Sequence, residues 1–411
     1  MKGHRRRPRL RLSATRIAQF AAGDRPPIGE VTVLPSLRGK GGEGVAQRQA
    51  IGRTTPPSRK RLSPPPGRRA TLRDIAGALG LSVAAVSRAL NGHPDVSPTT
   101  RRRVLEVARQ LNYRPNAAAK TLVTHRSRLI GVYFLGQERA RFSHPFASEV
   151  VDGLLEGLAT AGYDLLVFGD GLYDGGAPSF MDLAAHRQID GAVFLGLRTD
   201  DPRWGELARL PFPLVTIDVP VEGERAVSVG CDHIEGARLM ARHLAALGHR
   251  RIAMINGHRW APVSWERLTG FTAGLRQVGL EWEEACLVEG DFTEASGYQG
   301  AVELLRRRPR PTAIFAASDL MALGVLRAAR EMGIAVPEEL SVGGYDDISD
   351  AARASPPLTT VHQPRRQLGV AAAQSVVGLI ERGHDGIPSR VLLRPELVVR
   401  ASTGPAPSSS P

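Results

Sequence analysis

Residues 70–122 read ATLRDIAGALGLSVAAVSRALNGHPDVSPTTRRRVLEVARQLNYRPNAAAKTL, and this stretch sets the fold of the front of the chain. After Thr71, apolar residues recur with the period of a helix, at Leu72, Ile75, Ala76 and Leu79. Gly80 tolerates the left-handed conformation that ends a helix, and Ser82 is a good N-cap for a second helix over 83–90. The pattern predicts two short helices joined by a tight turn.

A third helix is predicted to close a small core. Ser97 is a suitable N-cap, and Pro98 fits the first helical position, where an N–H has no partner in any case. The apolar face of this helix is expected to comprise Val104, Leu105, Ala108 and Leu111. The second helix is expected to face the first through Val86, Ala89 and Leu90. Such a unit is a helix-turn-helix, whose second helix can lie in the major groove of DNA.

The same stretch resembles the DNA-binding headpiece of the LacI/GalR family of bacterial transcription regulators. The resemblance is carried by Thr71, Asp74-Ile75-Ala76, Gly80-Leu81-Ser82, Val86-Ser87-Arg88, Asn91, Val96-Ser97, Thr100-Arg101 and Leu111-Asn112-Tyr113-Arg114-Pro115-Asn116. It continues through nearly all of the chain that follows. It implies a sequence-specific DNA-binding transcriptional regulator, most often a repressor, whose operator affinity is controlled by a small molecule.

The resemblance also gives single headpiece residues a role on DNA. Arg88 is the best candidate base reader, because a guanidinium bonds guanine bidentately in the major groove. Val83 and Ala84 match positions that choose between operators, and both suit contact with a thymine methyl. Phosphate contacts, which orient the protein without reading sequence, are expected from Ser82, Ser87, Asn91, Ser97, Thr100 and Tyr113, and the DNA-binding set also includes Thr71. One headpiece reads too few base pairs, so a homodimer on pseudo-palindromic double-stranded operator DNA is expected.

Residues 114–128, which follow the headpiece at 70–113, are predicted to form a hinge helix and linker. Asn116 is a good N-cap and the alanines after it favour a helix, yet the segment is too short to be stable alone. The resemblance implies a helix that orders in the minor groove when two copies meet, with Asn116, Ala119 and Leu122 at the DNA. Leu122 matches the leucine that wedges between base steps. From the residues alone, a solvated linker whose leucine packs on the next domain is also possible.

The net charge of +13 is concentrated at the N-terminal end. Residues 1–70 contain 17 Lys and Arg against 3 Asp and Glu, residues 71–128 contain 10 against 3, and the remainder carries a net −8. A basic N-terminal part joined to an acidic C-terminal part indicates a polyanion-binding segment attached to an effector module. Residues 1–69 are rich in Arg, Pro and Gly, so a mostly disordered extension is expected. It is interpreted as a phosphate-binding arm, an inert extension or an over-extended reading frame.

The length and the cysteine content of the chain limit the class of protein to which it can belong. A chain of 411 residues with 42% hydrophobic residues is expected to form two or three folded units. Cys231 and Cys286 lie far apart and outside any CxxC or His/Cys cluster, which argues against a disulfide framework or structural zinc. No apolar run approaches the ~18 residues of a membrane span, and the N-terminus lacks the apolar core of a secretory signal. A cytoplasmic protein without membrane contact, cofactor or metal is expected.

Residues 129–401 alternate buried-type strands with amphipathic helices, which predicts mostly parallel sheet with helices on both faces. The resemblance implies a periplasmic-binding-protein-like core of two doubly wound α/β subdomains, which binds the effector in the cleft between them and carries the dimer contacts. Alternation alone would equally permit one large sheet. Residues 402–411 are expected to be a disordered tail.

The resemblance places the effector-binding residues in that cleft, at Phe146, Asp218, Arg267, Phe292, Ser318, Asp346 and Gln363. Carboxylates, an arginine and aromatic rings together suit a carbohydrate, because planar charged groups bond adjacent hydroxyls in pairs. Taken singly, Arg267 also fits a surface salt bridge, Asp346 a helix cap, and Phe292 a core position. Trp260 and Trp265 flank the same loop and are candidates for the mouth of the cleft.

Two other classes of function fit parts of the sequence. A sugar-binding transport protein would fit the core alone, but the headpiece and the absence of a secretory signal count against it. An enzyme is disfavoured because the chain shows no nucleophile elbow, P-loop or metal-spaced His/Glu set. The sequence leaves open the identity of the effector, the sign of regulation, and the choice between dimer and tetramer, of which a dimer is favoured.

Overall fold

The computed structural model describes residues 31–34, 70–114, 121, 126–134, 144–168, 180–181, 188–198, 200–201, 203–207 and 209–407. The chain divides into two compact units, one of residues 38–127 and one of residues 1–37 with 128–411. Across the described ranges, no helix combines the length and the apolar character that a bilayer crossing requires. The smaller unit contains the headpiece and the larger contains the α/β core.

The headpiece has three described helices, α1 (Leu72–Leu79), α2 (Val83–Leu90) and α3 (Pro98–Gln110). Thr71 and Asp74 form a capping box at the start of α1, with the Thr71 backbone N–H 2.7 Å from the Asp74 carboxylate. Gly80 ends α1 in the left-handed region, at φ 66°, as its position in the sequence predicts. The hydroxyls of Ser82 and Ser97 cap α2 and α3. The local signals of the sequence therefore set the boundaries of all three helices.

The core of the headpiece is built from the residues that the helical period selects, with one exception. Its buried members are Ile75, Ala76, Val86, Ala89, Val104, Ala108 and Leu111, and Leu90 packs against them half-buried. The prediction for Leu105 was wrong, because its side chain is 40% exposed. Val107 packs against the core instead. Leu105 lies one residue after Val104 and therefore about 100° further round the helix, which turns it away from α1 and α2.

The first sheet of the core contains seven described strands, all parallel. They are β1 (Val31–Leu34), β2 (Leu129–Phe134), β3 (Asp164–Phe168), β4 (Gly191–Leu195), β5 (Leu214–Ile217), β6 (Ala226–Cys231) and β12 (Arg390–Leu393). Their order is β1-β12-β6-β5-β4-β2-β3. Three described helices belong to this subdomain, α4 (Pro145–Ala161), α5 (Trp204–Leu207) and α11 (Arg365–Arg382). It is called the N-subdomain below.

The second sheet contains six described strands, which are β7 (Ile252–Asn256), β8 (Leu287–Glu289), β9 (Ala313–Ala316), β10 (Ser341–Asp346), β11 (Thr359–His362) and β13 (Glu396–Val398). Their order is β13-β11-β10-β9-β7-β8, and only the edge strand β13 is antiparallel. The described helices of this C-subdomain are α6 (His233–Ala246), α7 (Pro262–Gln277), α8 (Glu294–Leu305), α9 (Asp319–Glu331) and α10 (Ser349–Arg353). A short 3₁₀ turn, Glu284–Cys286, precedes β8.

The chain passes between the two subdomains three times within the described residues. The passages are the short segments between β6 and α6, between β11 and α11, and between β12 and β13. Two sheets joined in this way confirm the predicted core of two doubly wound subdomains and exclude a single large sheet. Three short connections, each at the same side of the two sheets, are the kind of hinge about which such subdomains close.

Glycines let the helices of each subdomain pack at backbone contact. In the N-subdomain, a Cβ on Gly153 of α4 would lie 1.9 Å from the carbonyl oxygen of Arg366, and one on Gly369 of α11 would lie 2.0 Å from that of Val150. The pairs α6 with α7 and α8 with α9 repeat the arrangement through Gly270 and Gly324, among other glycines. Helices this close hold the ends of the strands, and the residues that follow them, in fixed positions.

Both predicted disordered ends contain ordered residues. In the N-terminal extension, Val31–Leu34 forms β1, which pairs in parallel with β12. Three consecutive β-branched residues favour a strand, and the edge of β12 offers backbone groups to one. At the C-terminus, Ser402 is fully buried and its hydroxyl donates to the carbonyl of Val342, 2.6 Å away. The Ala406 N–H donates to the Leu247 carbonyl at 2.8 Å. These contacts with the C-subdomain hold the tail in place, although its composition predicts disorder.

Candidate functional site

A cavity of about 490 Å³ lies between the two subdomains, at the carboxyl ends of their strands. In open α/β sheets this is where ligands bind, because the loops that follow the strands converge there. All seven effector residues expected from the sequence line it, which are Phe146, Asp218, Arg267, Phe292, Ser318, Asp346 and Gln363. Phe146 and Asp218 come from the N-subdomain, and Gln363 from the passage between β11 and α11. The other four come from the C-subdomain.

Arg267 is the buried cation of the cavity floor, 4% exposed. It lies on α7, and its Nη1 donates to the carbonyl of Ala317, the residue directly after β9. Its Nη2 lies 3.8 Å from Oδ1 of Asp346, and its guanidinium carbon lies 3.9 Å from the centre of the Tyr345 ring. Arg267 is therefore a fixed group inside the cleft rather than a surface ion-pair partner.

Asp346, the last residue of β10, presents a buried carboxylate to the cavity. The Nε2 group of Gln363 donates to its Oδ1, and this contact orients the amide. The helix that follows, α10, has Ile348 at its N-cap and no side-chain cap. Asp346 therefore does not cap α10. Its carboxylate pairs with Arg267 and Gln363 instead.

Three residues of the cavity hold backbone conformations that side chains other than glycine rarely adopt. The φ angles are 56° for Asp218, 66° for Phe292 and 118° for Asp346. Such conformations cost of order 1–3 kcal/mol each and collect at functional sites, where the surrounding structure imposes them. Each of these residues lies in a loop or at a strand end that turns its side chain toward the cavity. The strain gives an independent reason to regard this cleft as a binding site.

A polar contact beneath the cavity joins the two subdomains. Nε2 of His233, at the start of α6, lies 3.0 Å from Oδ1 of Asp218, which follows β5. The other ring nitrogen lies 3.4 Å from Nε of Arg267 and 3.2 Å from the Tyr345 hydroxyl. Since a guanidinium only donates, Nδ1 accepts and a neutral ring carries its proton on Nε2, toward Asp218. Sequence reasoning missed His233, because a histidine at a helix start carries no signal of a partner 15 residues away.

Burial and these contacts set the protonation of the cleft. Burial alone would raise the pKa of Asp218, but the contacts with His233, the Cys231 N–H and Arg267 outweigh it and lower that pKa. Burial raises the pKa of the Tyr345 hydroxyl. Burial also lowers the pKa of His144 and of His258, both of which line the cavity. At neutral pH the cavity therefore presents neutral imidazoles together with an ionised Asp218.

One wall of the cavity is aromatic. His258 and Trp260, in the loop after β7, stack with ring centres 4.5 Å apart, and Phe292 meets the His258 ring edge-on at 6.0 Å. Phe292 packs over Gly257, where a Cβ would lie 1.8 Å from its ring. Trp260 lines the cavity as the sequence suggested, whereas Trp265 does not. Trp265 is 45% exposed and donates to the Arg259 carbonyl.

The predicted DNA-reading surface lies on α2 of the headpiece. Val83, Ala84 and Arg88 are exposed, which a base-reading face requires. Nη1 of Arg88 lies 3.3 Å from the carboxylate of Asp95, in the loop before α3. Asn116, Ala119 and Leu122, predicted to contact the minor groove, lie outside the described residues.

The other predicted DNA contacts are built into helix caps and local hydrogen bonds. Thr71, Ser82 and Ser97 serve as N-caps, and Thr100 accepts from the hydroxyl of Ser97. Nδ2 of Asn91 lies 3.4 Å from Oγ of Ser87. Tyr113 packs half-buried against the headpiece core. Several of these side chains sit at helix starts, where backbone N–H groups also favour phosphate.

Comparison with known proteins agrees with both parts of the structure. Residues 71–116 match the bacterial regulatory proteins of the lacI family, and residues 241–403 match the periplasmic binding protein-like domain. The HTH-type transcriptional regulator CelR of Thermobifida fusca is 37% identical over 337 residues, which cover 82% of this chain and 98% of that relative. The chain belongs to the LacI family and is a DNA-binding transcriptional regulator.

Solved structures give the same assignment. A transcriptional regulator CelR–cellobiose complex is 34% identical, with a TM-score of 0.62, and the match covers 81% of this chain and all of that one. A lac repressor dimer bound to operator and the anti-inducer ONPF is 30% identical, with a TM-score of 0.70, over 82% of this chain and all of that one. The matches span headpiece and core together, which favours regulation over transport or catalysis.

Proposed function

We propose that this regulator is a repressor whose affinity for its operator is controlled by a carbohydrate bound in the cleft. The observation that carries the proposal is the buried Arg267–Asp346 pair, with Gln363 beside it, facing the aromatic wall of His258, Trp260 and Phe292. Fixed charged groups bond adjacent hydroxyls in pairs, and rings suit the apolar faces of a sugar.

The size of the cavity is compatible with a small saccharide. Its volume of about 490 Å³ falls within the range of roughly 300–1,000 Å³ typical of small-molecule sites. Since CelR is similar to this chain and has been solved as a cellobiose complex, cellobiose is the first ligand to test. Other disaccharides and their component monosaccharides form the comparison set.

A ligand that contacts both subdomains would favour the closed form of the core. Phe146 and Asp218 would hold it from the N-subdomain, and Arg267, Phe292, Ser318 and Asp346 from the C-subdomain, with Gln363 in the passage between β11 and α11. Closure about the three passages changes the relative pose of the subdomains. Operator affinity changes only to the extent that the ligand prefers one of the two forms. The proposed sign is induction, in which the saccharide weakens DNA binding.

On DNA, we propose a homodimer that acts in the cytoplasm on a pseudo-palindromic operator. Arg88 would read a guanine, Val83 and Ala84 would contact base edges, and the residues at helix starts would hold phosphates. The predicted hinge residues Asn116, Ala119 and Leu122 would enter the minor groove.

The DNA half of the proposal is tested by selection. Purified protein is incubated with fragments of its own genome at moderate salt, and the retained DNA is sequenced. The expected result is enrichment of a few palindromes beside genes of carbohydrate use, and disappearance of that enrichment with Arg88→Ala. Uniform, salt-sensitive retention that Arg88→Ala leaves unchanged would show electrostatic binding alone and contradict the proposal.

The ligand half is tested by calorimetry with cellobiose, maltose, lactose and glucose. One of the disaccharides is expected to bind, and Arg267→Ala is expected to weaken that binding by at least tenfold, because a hydrogen bond to a charged group is worth about 1.5–3 kcal/mol. Arg225→Gln removes a cation that bonds the Pro211 carbonyl away from the cleft and serves as the control. Operator binding measured with and without the sugar then gives the sign of regulation. Failure of every sugar to bind would contradict a carbohydrate effector.

A further inference from the structure

Arg198 and Trp260 meet across the cleft. Arg198 follows β4 in the N-subdomain, and Trp260 follows β7 in the C-subdomain. The guanidinium carbon of Arg198 lies 4.4 Å from the centre of the Trp260 ring, well inside the ~6 Å limit of a cation–π contact. The contact therefore joins the two subdomains from opposite sides of the cavity that separates them.

Both partners are held in place from within their own subdomains. The Asp200 carboxylate accepts from Nε and Nη2 of Arg198, at 2.8 and 2.7 Å, which fixes the plane of the guanidinium. On the other side, Trp260 stacks on His258 with an interplanar angle of 19°. Burial lowers the pKa of His258, which favours the neutral ring. A neutral ring does not place a second cation against the Trp260 indole. Asp200, Arg198, Trp260 and His258 thus form one stack that runs from one subdomain into the other.

We propose that the Arg198–Trp260 contact is a clamp that stabilises the closed cleft, and that Arg198 is a positioning residue for effector binding. Opening of the subdomains must break this contact, because its two halves move with different sheets. A partly exposed cation–π contact is a weak interaction. The clamp therefore biases the equilibrium between open and closed forms without locking it, which a ligand-controlled switch requires.

The clamp is connected to the ligand through its C-subdomain half. Trp260 and His258 line the cavity and stack on each other, and Trp260 also contacts Arg198. A saccharide in the cleft would therefore pack against rings that belong to the clamp. Arg198 itself does not line the cavity, although Gly196 and Leu197 before it do. This part of the inference rests on the proposed function, whereas the effect of the clamp on closure does not.

The test compares Arg198→Gln with wild type in two measurements on the full-length protein. Spin labels on Glu222→Cys in the N-subdomain and Gln277→Cys in the C-subdomain, in a Cys286→Ser background, report the distance between subdomains. Arg198→Gln is expected to shift the ligand-free distribution toward longer distances. It is also expected to weaken cellobiose binding about two- to fivefold, which equals about 0.5–1 kcal/mol, the strength of one partly exposed cation–π interaction. Arg198→Lys, which keeps the charge but not the planar fork, is expected to fall between the two.

Arg225→Gln is the matched control, since it removes an arginine of the same subdomain whose hydrogen bond to Pro211 stays within that subdomain. An unchanged distance distribution in Arg198→Gln would overturn the clamp. So would weaker sugar binding without a change in distance, because that would indicate direct contact with the ligand. If wild type binds none of the sugars, the carbohydrate proposal fails, and the distance measurement still decides the clamp.

Discussion

The carboxylate of Asp218 lies 3.0 Å from Nε2 of His233, and this contact ties the end of β5 in one subdomain to the start of α6 in the other. Both side chains are buried, with exposed fractions of 9% and 0%. The Cys231 N–H donates to the same carboxylate oxygen at 3.1 Å. The contact lies directly beside the first passage between subdomains, so it links the two subdomains at that joint.

His233→Ala is expected to lower the free energy of unfolding by about 1.5–3 kcal/mol, because it removes a hydrogen bond to the buried, ionised Asp218 carboxylate. Chemical denaturation of the purified variant measures this. The double variant Asp218→Asn/His233→Ala removes the charge as well and is expected to recover much of the stability. If the double variant is as unstable as the sum of the single ones, the two side chains do not interact.

Helix packing in the N-subdomain gives a second expectation. Gly369→Ala places a Cβ about 2.0 Å from the Val150 carbonyl oxygen, so α4 and α11 must move apart. The variant is expected to unfold at a lower denaturant concentration, with a decrease of at least ~1–3 kcal/mol in the free energy of unfolding. Gly205→Ala is the control, because nothing lies within 4 Å of a Cβ there and its φ is not positive. Equal stability of the two variants would show that α4 and α11 can separate without cost.

The Arg88–Asp95 pair predicts how the headpiece discriminates between sequences. Both side chains are 52% exposed, so the pair adds little to stability. Asp95 nevertheless competes with DNA for the guanidinium. Asp95→Asn is expected to raise affinity for random-sequence DNA more than for the operator, by less than about tenfold. Fluorescence anisotropy with both DNAs at two salt concentrations measures the ratio. Unchanged affinity for both DNAs would mean that Asp95 does not restrain Arg88.

Stability is expected to depend on pH through buried histidines. His249 is fully buried between the hydroxyls of Thr312 and Ser341, and burial lowers its pKa below the usual 6.5. The unfolded chain therefore binds a proton first as pH falls. The contribution of neutral His249 is complete above about pH 6.5 and is lost progressively below it. Denaturation midpoints from pH 8 to pH 5 should fall for wild type and fall less for His249→Gln. Parallel curves would show that His249 does not contribute.

At the acid end, Asp347 adds a second loss of stability as pH falls. Burial would raise its pKa, but hydrogen bonds from His362 and Arg400 outweigh burial and lower the pKa to about 2. Its contribution is therefore present above the ordinary carboxyl pKa of 3.8 and is lost as pH falls from there toward 2. Asp347→Asn is expected to remove this part of the acid dependence and to leave the histidine part. A variant whose acid midpoint equals that of wild type would contradict the assignment.

The headpiece could be predicted from the sequence alone, because caps, turn residues and helical period act over three to five residues. Thr71, Gly80, Ser82 and Ser97 mark the helix boundaries that the structure has, and only the face of Leu105 was misjudged. Alternation of strands and helices was enough to establish that the core is α/β. The resemblance to a family supplied the number of sheets and the seven predicted effector residues, all of which line the cavity.

The pairs of side chains that meet across the cleft could be found only in the folded structure. Asp218 with His233, and Arg198 with Trp260, come from different subdomains, and their spacing in the chain carries no trace of the contact. The same holds for the tail around Ser402 and for β1, where composition indicates disorder but partners distant in sequence supply hydrogen bonds. Local signals fix local structure, because those energies involve neighbouring residues. Contacts between distant segments depend on how two sheets and three passages place them, and that is set by the packing of the whole core.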